Sequence, residues 1–93
     1  MPKTRLVVNH DAGLHARPLA QFVKKVNEYE AEVQVTNLTR EKGPVNGASP
    51  VQLLLLAVLS GQEIEIETSG AQEEELLQAL TELIESNFGE ADV

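Results

Sequence analysis

Along this chain the period of the hydrophobic side chains switches repeatedly between two residues and three to four, and a fold must satisfy both periods in turn. Arg5-Leu6-Val7-Val8 is a short strand candidate with β-branched residues. Asn9-His10-Asp11-Ala12-Gly13 then reads as a loop, with no chemistry assigned to His10. From Ala16 the period lengthens. Leu19, Phe22, Val23 and Val26 form an apolar stripe beside a polar one of Arg17, Gln21, Lys24 and Glu28, which predicts a helix over about 16–27. Pro18 falls in its first turn, where a backbone N–H has no intrahelical acceptor, so the proline costs little there.

Glu32-Val33-Gln34-Val35-Thr36 alternates and predicts a half-buried strand. Asn37 to Gly43 is polar and turn-rich and reads as a hairpin tip, followed by a short returning strand around Pro44–Asn46. Pro44 cannot donate to a ladder, so this strand belongs at a sheet edge. Gly47-Ala48-Ser49-Pro50 marks a helix start, with Ser49 as N-cap and Pro50 at the first helical position. That helix is expected to run through Leu59, with Gly61 near its end. Gln62 to Thr68 alternates again, with Ile64 and Ile66 inward. After Ser69-Gly70, Leu76, Leu77, Leu80, Leu83 and Ile84 line one face of a final helix. Glu73, Glu74, Glu75, Glu82 and Glu85 largely line the rest. Glu90 to Val93 is expected to fray.

The predicted order is βαββαβα. Helices covering one face of an antiparallel sheet make an α/β (α+β) two-layer open-faced sandwich, expected as a single domain over residues 1–93. There is no Cys, which excludes a disulfide framework, a thiolate metal site and a Cys nucleophile, and is compatible with a reducing cytoplasm. Met1-Pro2-Lys3-Thr4-Arg5 lacks the apolar stretch of a signal peptide. The longest apolar run, Leu53–Leu59, falls far short of the ~20 residues that span a bilayer. The formal charge of −8 disfavours nucleic acid and anionic membranes as partners. Five of the seven Lys and Arg residues lie in the first 25 positions and none beyond Lys42, so one face is equipped to steer an acidic partner. Two His residues without a matching Cys or carboxylate pattern point to no metal site. No Gly-rich phosphate loop, Ser-His-Asp order or paired acid–base motif stands out.

Gly13-Leu14-His15-Ala16-Arg17-Pro18-Leu19 carries the chemistry. It sets His15 immediately before a helix start, where the N–H groups of Ala16 and Arg17 point outward and the helix dipole is positive. Arg17 adds a full charge and a fork suited to phosphate oxygens. The result is an anion site with a nucleophile at its edge. The positive helix end disfavours imidazolium, leaving a neutral ring nitrogen able to attack phosphorus. An N–P bond to imidazole is labile, which suits a carrier better than a store. A lone His at a helix start, taken by itself, is more often a capping or surface residue.

Gly13-Leu14-His15-Ala16-Arg17-Pro18 resembles the active-site signature of HPr, the phosphocarrier family of the bacterial phosphoenolpyruvate-dependent sugar phosphotransferase system. Val45-Asn46-Gly47-Ala48-Ser49 resembles the family's regulatory-serine region. Ser60-Gly61-Gln62-Glu63-Ile64 resembles its turn into the last strand, and Ser69-Gly70-Ala71 its lead into the final helix, so the likeness covers nearly the whole chain. The resemblance implies a four-stranded antiparallel sheet with three helices on one face and the third strand at an edge. It implies phosphorylation of His15 on Nδ1 by enzyme I, itself charged by phosphoenolpyruvate, with Arg17 stabilising the phosphate. It further implies delivery to enzyme IIA proteins or domains in the cytoplasm, with no cofactor bound to the carrier and a monomer alternating between partners. The wider partner set comprises an HPr kinase/phosphorylase and a transcriptional regulator.

Ser49 has two readings: helix N-cap, which the Ser-Pro pair explains fully, and the regulatory phosphorylation site that the resemblance implies. Pro50 stands where the family usually carries a larger apolar residue, and the Asn37–Gly43 hairpin is longer than is usual there. Val51 to Leu59 is too apolar for an exposed helix. Leu53, Leu56 and Ala57 fit an inward face, while Val51, Leu54 and Leu55 fall elsewhere, and Val51 and Leu54 form a candidate docking patch. Lys24, two turns from Arg17, extends the basic face. Nitrogen-related or dihydroxyacetone-related phosphotransfer stays open beside sugar uptake. So do a non-catalytic regulatory module, which has no need of His15, and an acyl-phosphate hydrolase, for which no water-positioning group is evident beside Arg17.

Overall fold

Alternation in four short segments and helical spacing in three builds a sheet with its apolar side covered. The computed structural model describes residues 1–10, 13–14 and 16–89. Strand β1 is Lys3–Val7, helix α1 Ala16–Val26, β2 Glu32–Asn37, β3 Lys42–Asn46, α2 Pro50–Leu55, β4 Glu63–Ser69 and α3 Glu73–Glu85, followed by a 3₁₀ turn at Asn87–Gly89. The sheet order is β1-β4-β2-β3, with every neighbouring pair antiparallel. It follows that β1 and β2 run parallel with β4 inserted between them, and that β3 and β4 run parallel with β2 between them. Helices α1 and α2 make the two crossovers, so two β-α-β units interlock into one sheet.

The period-two residues sort as expected. Val33, Val35, Ile64 and Ile66 are buried, together with Leu19, Phe22 and Val26 of α1, Leu53 of α2, and Leu76, Leu80 and Ile84 of α3. Each such side chain contributes about 1.5–3 kcal/mol by leaving water. The opposite sheet face carries Lys3, Arg5, Glu32, Gln34, Glu63, Glu65 and Glu67, with an Arg5–Glu65 ion pair at 3.3 Å. Leu77 and Leu83, expected on the inner stripe of α3, pack against the core while staying partly exposed.

Strand β3 lies at the edge that Pro44 requires. Ser49 caps α2 through its Oγ, which accepts from the Gln52 amide at 3.3 Å, and Pro50 opens that helix. Strand β1 begins two residues earlier than the sequence suggests and ends at Val7, although the Val8 amide still bonds to the Gln62 carbonyl at 3.0 Å.

The helix expected through Leu59 stops at Leu55. The amides of Leu56 and Ala57 fold back onto the carbonyls of Leu53 and Leu54, tightening the last turn, and Ala57 adopts a left-handed φ of 52°. The chain then buries both Leu56 and Val58, two residues apart, which no helix face can do. Unbroken hydrophobicity from Leu53 to Leu59 conceals this change of period. The hairpin tip also begins one residue later than expected, because Asn37 belongs to β2 and points into the core with Val33 and Val35. The expected frayed tail, Glu90 to Val93, lies outside the described residues.

Candidate functional site

The segment Gly13-Leu14-His15-Ala16-Arg17-Pro18 enters α1 at Ala16, as its pattern suggests. Leu19, Phe22 and Val26, at spacings of three and four residues, are buried and anchor the helix on the sheet. The first-turn amides of such a helix lack intrahelical acceptors, and Pro18, third in α1, removes one of these donors without breaking a helical bond. Lys24 and Lys25 occupy the last turn, where cations oppose the negative dipole end.

His15 lies outside the described residues, as do Asp11 and Ala12. The Gly13 amide donates to the His10 carbonyl at 2.8 Å and the Leu14 amide to the Val58 carbonyl at 3.0 Å. Gly13 has φ +65°, and a Cβ there would collide with the Val58 carbonyl oxygen and come within 2.9 Å of Leu59 Cα. Leu14 is buried in the core. Gly13 and Leu14, which lead toward α1, thus form a turn clamped against the chain that follows α2.

Arg17 is the second residue of α1 and is exposed. Lys24 is exposed seven residues further on, on the same side of the helix and roughly 10 Å along its axis. Val51 and Leu54 are 68% and 44% exposed, and Leu55, which falls beside them, is 68% exposed. The inward face consists of Leu53 and Leu56, with Ala57 half-buried. The same stretch ends at Val58, which ties the apolar surface to the Leu14 turn. Ser49 is half-buried and committed to capping.

Sequence reasoning passes over three contributors. His10 is not an idle loop residue: its ring meets that of Phe88 edge-on, with centroids 5.9 Å apart. Phe88 is buried although it follows α3, and it is reached through left-handed backbone at Asn87 and Phe88. Nothing local announces this, because neither residue is a glycine. Asn37 is the third, and its i, i+2, i+4 relation to Val33 and Val35 is a usable signal. Among the described residues no group of three or more His, Cys, Asp or Glu gathers as a metal site, and no described helix is long and apolar enough to cross a membrane.

The family model described as "PTS HPr component phosphorylation site" matches residues 2–86. The chain is 39% identical to the phosphocarrier protein HPr of Neisseria meningitidis serogroup A, over 99% of this chain and 100% of that protein. It is 33% identical to the multiphosphoryl transfer protein of Escherichia coli O157:H7, over 90% of this chain and 22% of that longer protein. The crystal structure of HPr-C-His from Thermoanaerobacter tengcongensis superposes with a TM-score of 0.91 at 33% identity, covering 99% of this chain and 100% of that one.

Proposed function

The chain belongs to the PTS HPr family and is a phosphocarrier of that phosphotransferase system; from that premise we propose that His15 is the residue that takes and releases the phosphoryl group. The observation that carries this reading is the six-residue run from Gly13 to Pro18, placed at the start of an eleven-residue helix whose first turn offers backbone donors to an anion.

The chemistry needs little beyond positioning and charge. The lone pair of the neutral His15 ring nitrogen, Nδ1 in this reading, attacks phosphorus on the charged donor. The bond from phosphorus to the donor breaks, and its electron pair stays with the donor. The phosphoryl oxygens accept from the N–H groups of Ala16 and Arg17, and the Arg17 guanidinium balances their charge. In delivery the sequence reverses: the P–N bond breaks, its electrons return to the ring, and phosphorus passes to the acceptor.

The donor in this reading is enzyme I, charged by phosphoenolpyruvate, and the acceptors are enzyme IIA proteins or domains, met one at a time by a monomeric cytoplasmic carrier. Val51 and Leu54 supply the apolar part of the docking surface and Lys24 a charged part, with Leu55 added by its exposure. Ser49 keeps the capping role.

With enzyme I and labelled phosphoenolpyruvate, the wild-type chain is expected to acquire an acid-labile label and His15→Ala none. Equal labelling of the two proteins would overturn the assignment.

A further inference from the structure

Two amide side chains are committed to the segment against which the Gly13-Leu14 turn rests. Asn37 is fully buried, and its side chain is satisfied there by three bonds. Its Nδ2 donates to the Leu56 carbonyl at 2.9 Å and to Gln62 Oε1 at 3.1 Å, while its Oδ1 accepts from the Arg40 amide at 3.2 Å. Gln62 Oε1 also accepts from the Leu59 amide at 2.9 Å. Residues 56–59 are therefore held at both ends, through the carbonyl of the first and the amide of the last. Between them lies Val58, whose carbonyl receives the Leu14 amide and whose oxygen leaves no room for a Cβ on Gly13. Two more backbone bonds, Gly61 to Val8 at 2.7 Å and Val8 to Gln62 at 3.0 Å, tie the same turn to the chain just after β1. A valine at position 37 would continue the Val33–Val35 pattern, but would leave the Leu56 carbonyl without its donor.

We propose that Asn37 and Gln62 are positioning residues for phosphoryl transfer, fixing residues 56–59 as a rigid seat that sets Leu14 and so the ring that follows it. The proposal rests on the reading of His15 as the carrier. Neither amide reaches the phosphoryl group; both act through Val58 and Leu14. A seat of this kind matters because a displacement of about 1 Å at a reacting atom can cost roughly 100-fold in rate.

Gln62 is half-buried, so Gln62→Ala removes both acceptor bonds without burying a charge. Gln62→Glu supplies the acceptor again, since both bonds use Oε1. Thr68→Val is the control for stability alone. Thr68 is also buried, but its hydroxyl donates to the Glu73 carbonyl, away from residues 56–59. Two readouts are taken on the full chain: hydrogen exchange at the Leu14 amide, which needs no phosphate donor, and kcat and KM for phosphorylation by enzyme I. In Gln62→Ala, Leu14 exchange is expected to rise about tenfold and kcat to fall about tenfold, with KM moving less than about twofold. Gln62→Glu is expected to restore both. Exchange and kcat in Gln62→Ala no different from Thr68→Val would overturn the proposal, as would exchange that stays raised and kcat that stays low in Gln62→Glu. Absence of label on the wild-type chain would defeat the His15 reading alone, with Leu14 exchange still deciding whether the seat exists.

Discussion

Gly13 joins two demands at one position: a left-handed φ of +65° and direct contact with the Val58 carbonyl. Either alone disfavours a side chain, the left-handed backbone by roughly 1–2 kcal/mol. Gly13→Ala should therefore destabilise the fold by at least about 2 kcal/mol, lowering Tm by about 8 °C or more in a chain of this size. Thermal unfolding by circular dichroism checks this, and an unchanged Tm would mean that the turn yields easily. At this scale the family signature is legible in residue type and order alone. Gly13, His15 and Arg17 announce themselves in that way, and Ser49-Pro50 by the needs of a helix start. The supporting side chains are less so. The turn preference of Asn assigns Asn37 to the hairpin tip, while its period-two relation to Val33 and Val35 places it inside, where its amide serves the backbone of another segment.

Helix α2 shows what hydrophobic pattern alone leaves open. Its start is coded by a cap and a proline, whereas its end falls within a run of leucine, alanine and valine that carries no stop signal. What ends it is tertiary: Val58 must be buried and its carbonyl must meet Leu14. The side chains this leaves outside, Val51, Leu54 and Leu55, are not covered by any partner face among the described residues. Leu54→Glu is expected to leave Tm within about 2 °C, because the side chain is already substantially in water. It should weaken binding to enzyme I by about tenfold or more, from a charge buried at an apolar contact. Titration calorimetry reads the affinity, and unchanged binding would show that α2 docks nothing at this position.

At the scale of the whole molecule, a net charge of −8 coexists with a cationic helix, since α1 holds Arg17, Lys24 and Lys25 and has no acidic residue in its first turn. An acidic partner docking on that helix meets its cations at contact distance, where their attraction outweighs repulsion from the acidic remainder of the chain. Phosphorylation by enzyme I at low carrier concentration should therefore slow several-fold between about 0.05 and 0.5 M NaCl, as the screening length contracts. Stopped-time labelling measures it, and a flat salt profile would remove steering from the account. The order of elements, βαββαβα, and the edge place of the third strand can be read from periodicity and one proline. Which strands become neighbours cannot, because pairing depends on residues far apart in the chain, as with Leu6 opposite Ile64. Strand β4 is flanked by β1 on one side and β2 on the other, yet it is the last strand to be synthesised. A nascent chain emerging from the ribosome can close the β2–β3 hairpin early, but its sheet has a gap at the centre until residue 69 is out. The Leu14 turn meanwhile waits for Val58, so the entry to the first helix is locked only after the second has been made.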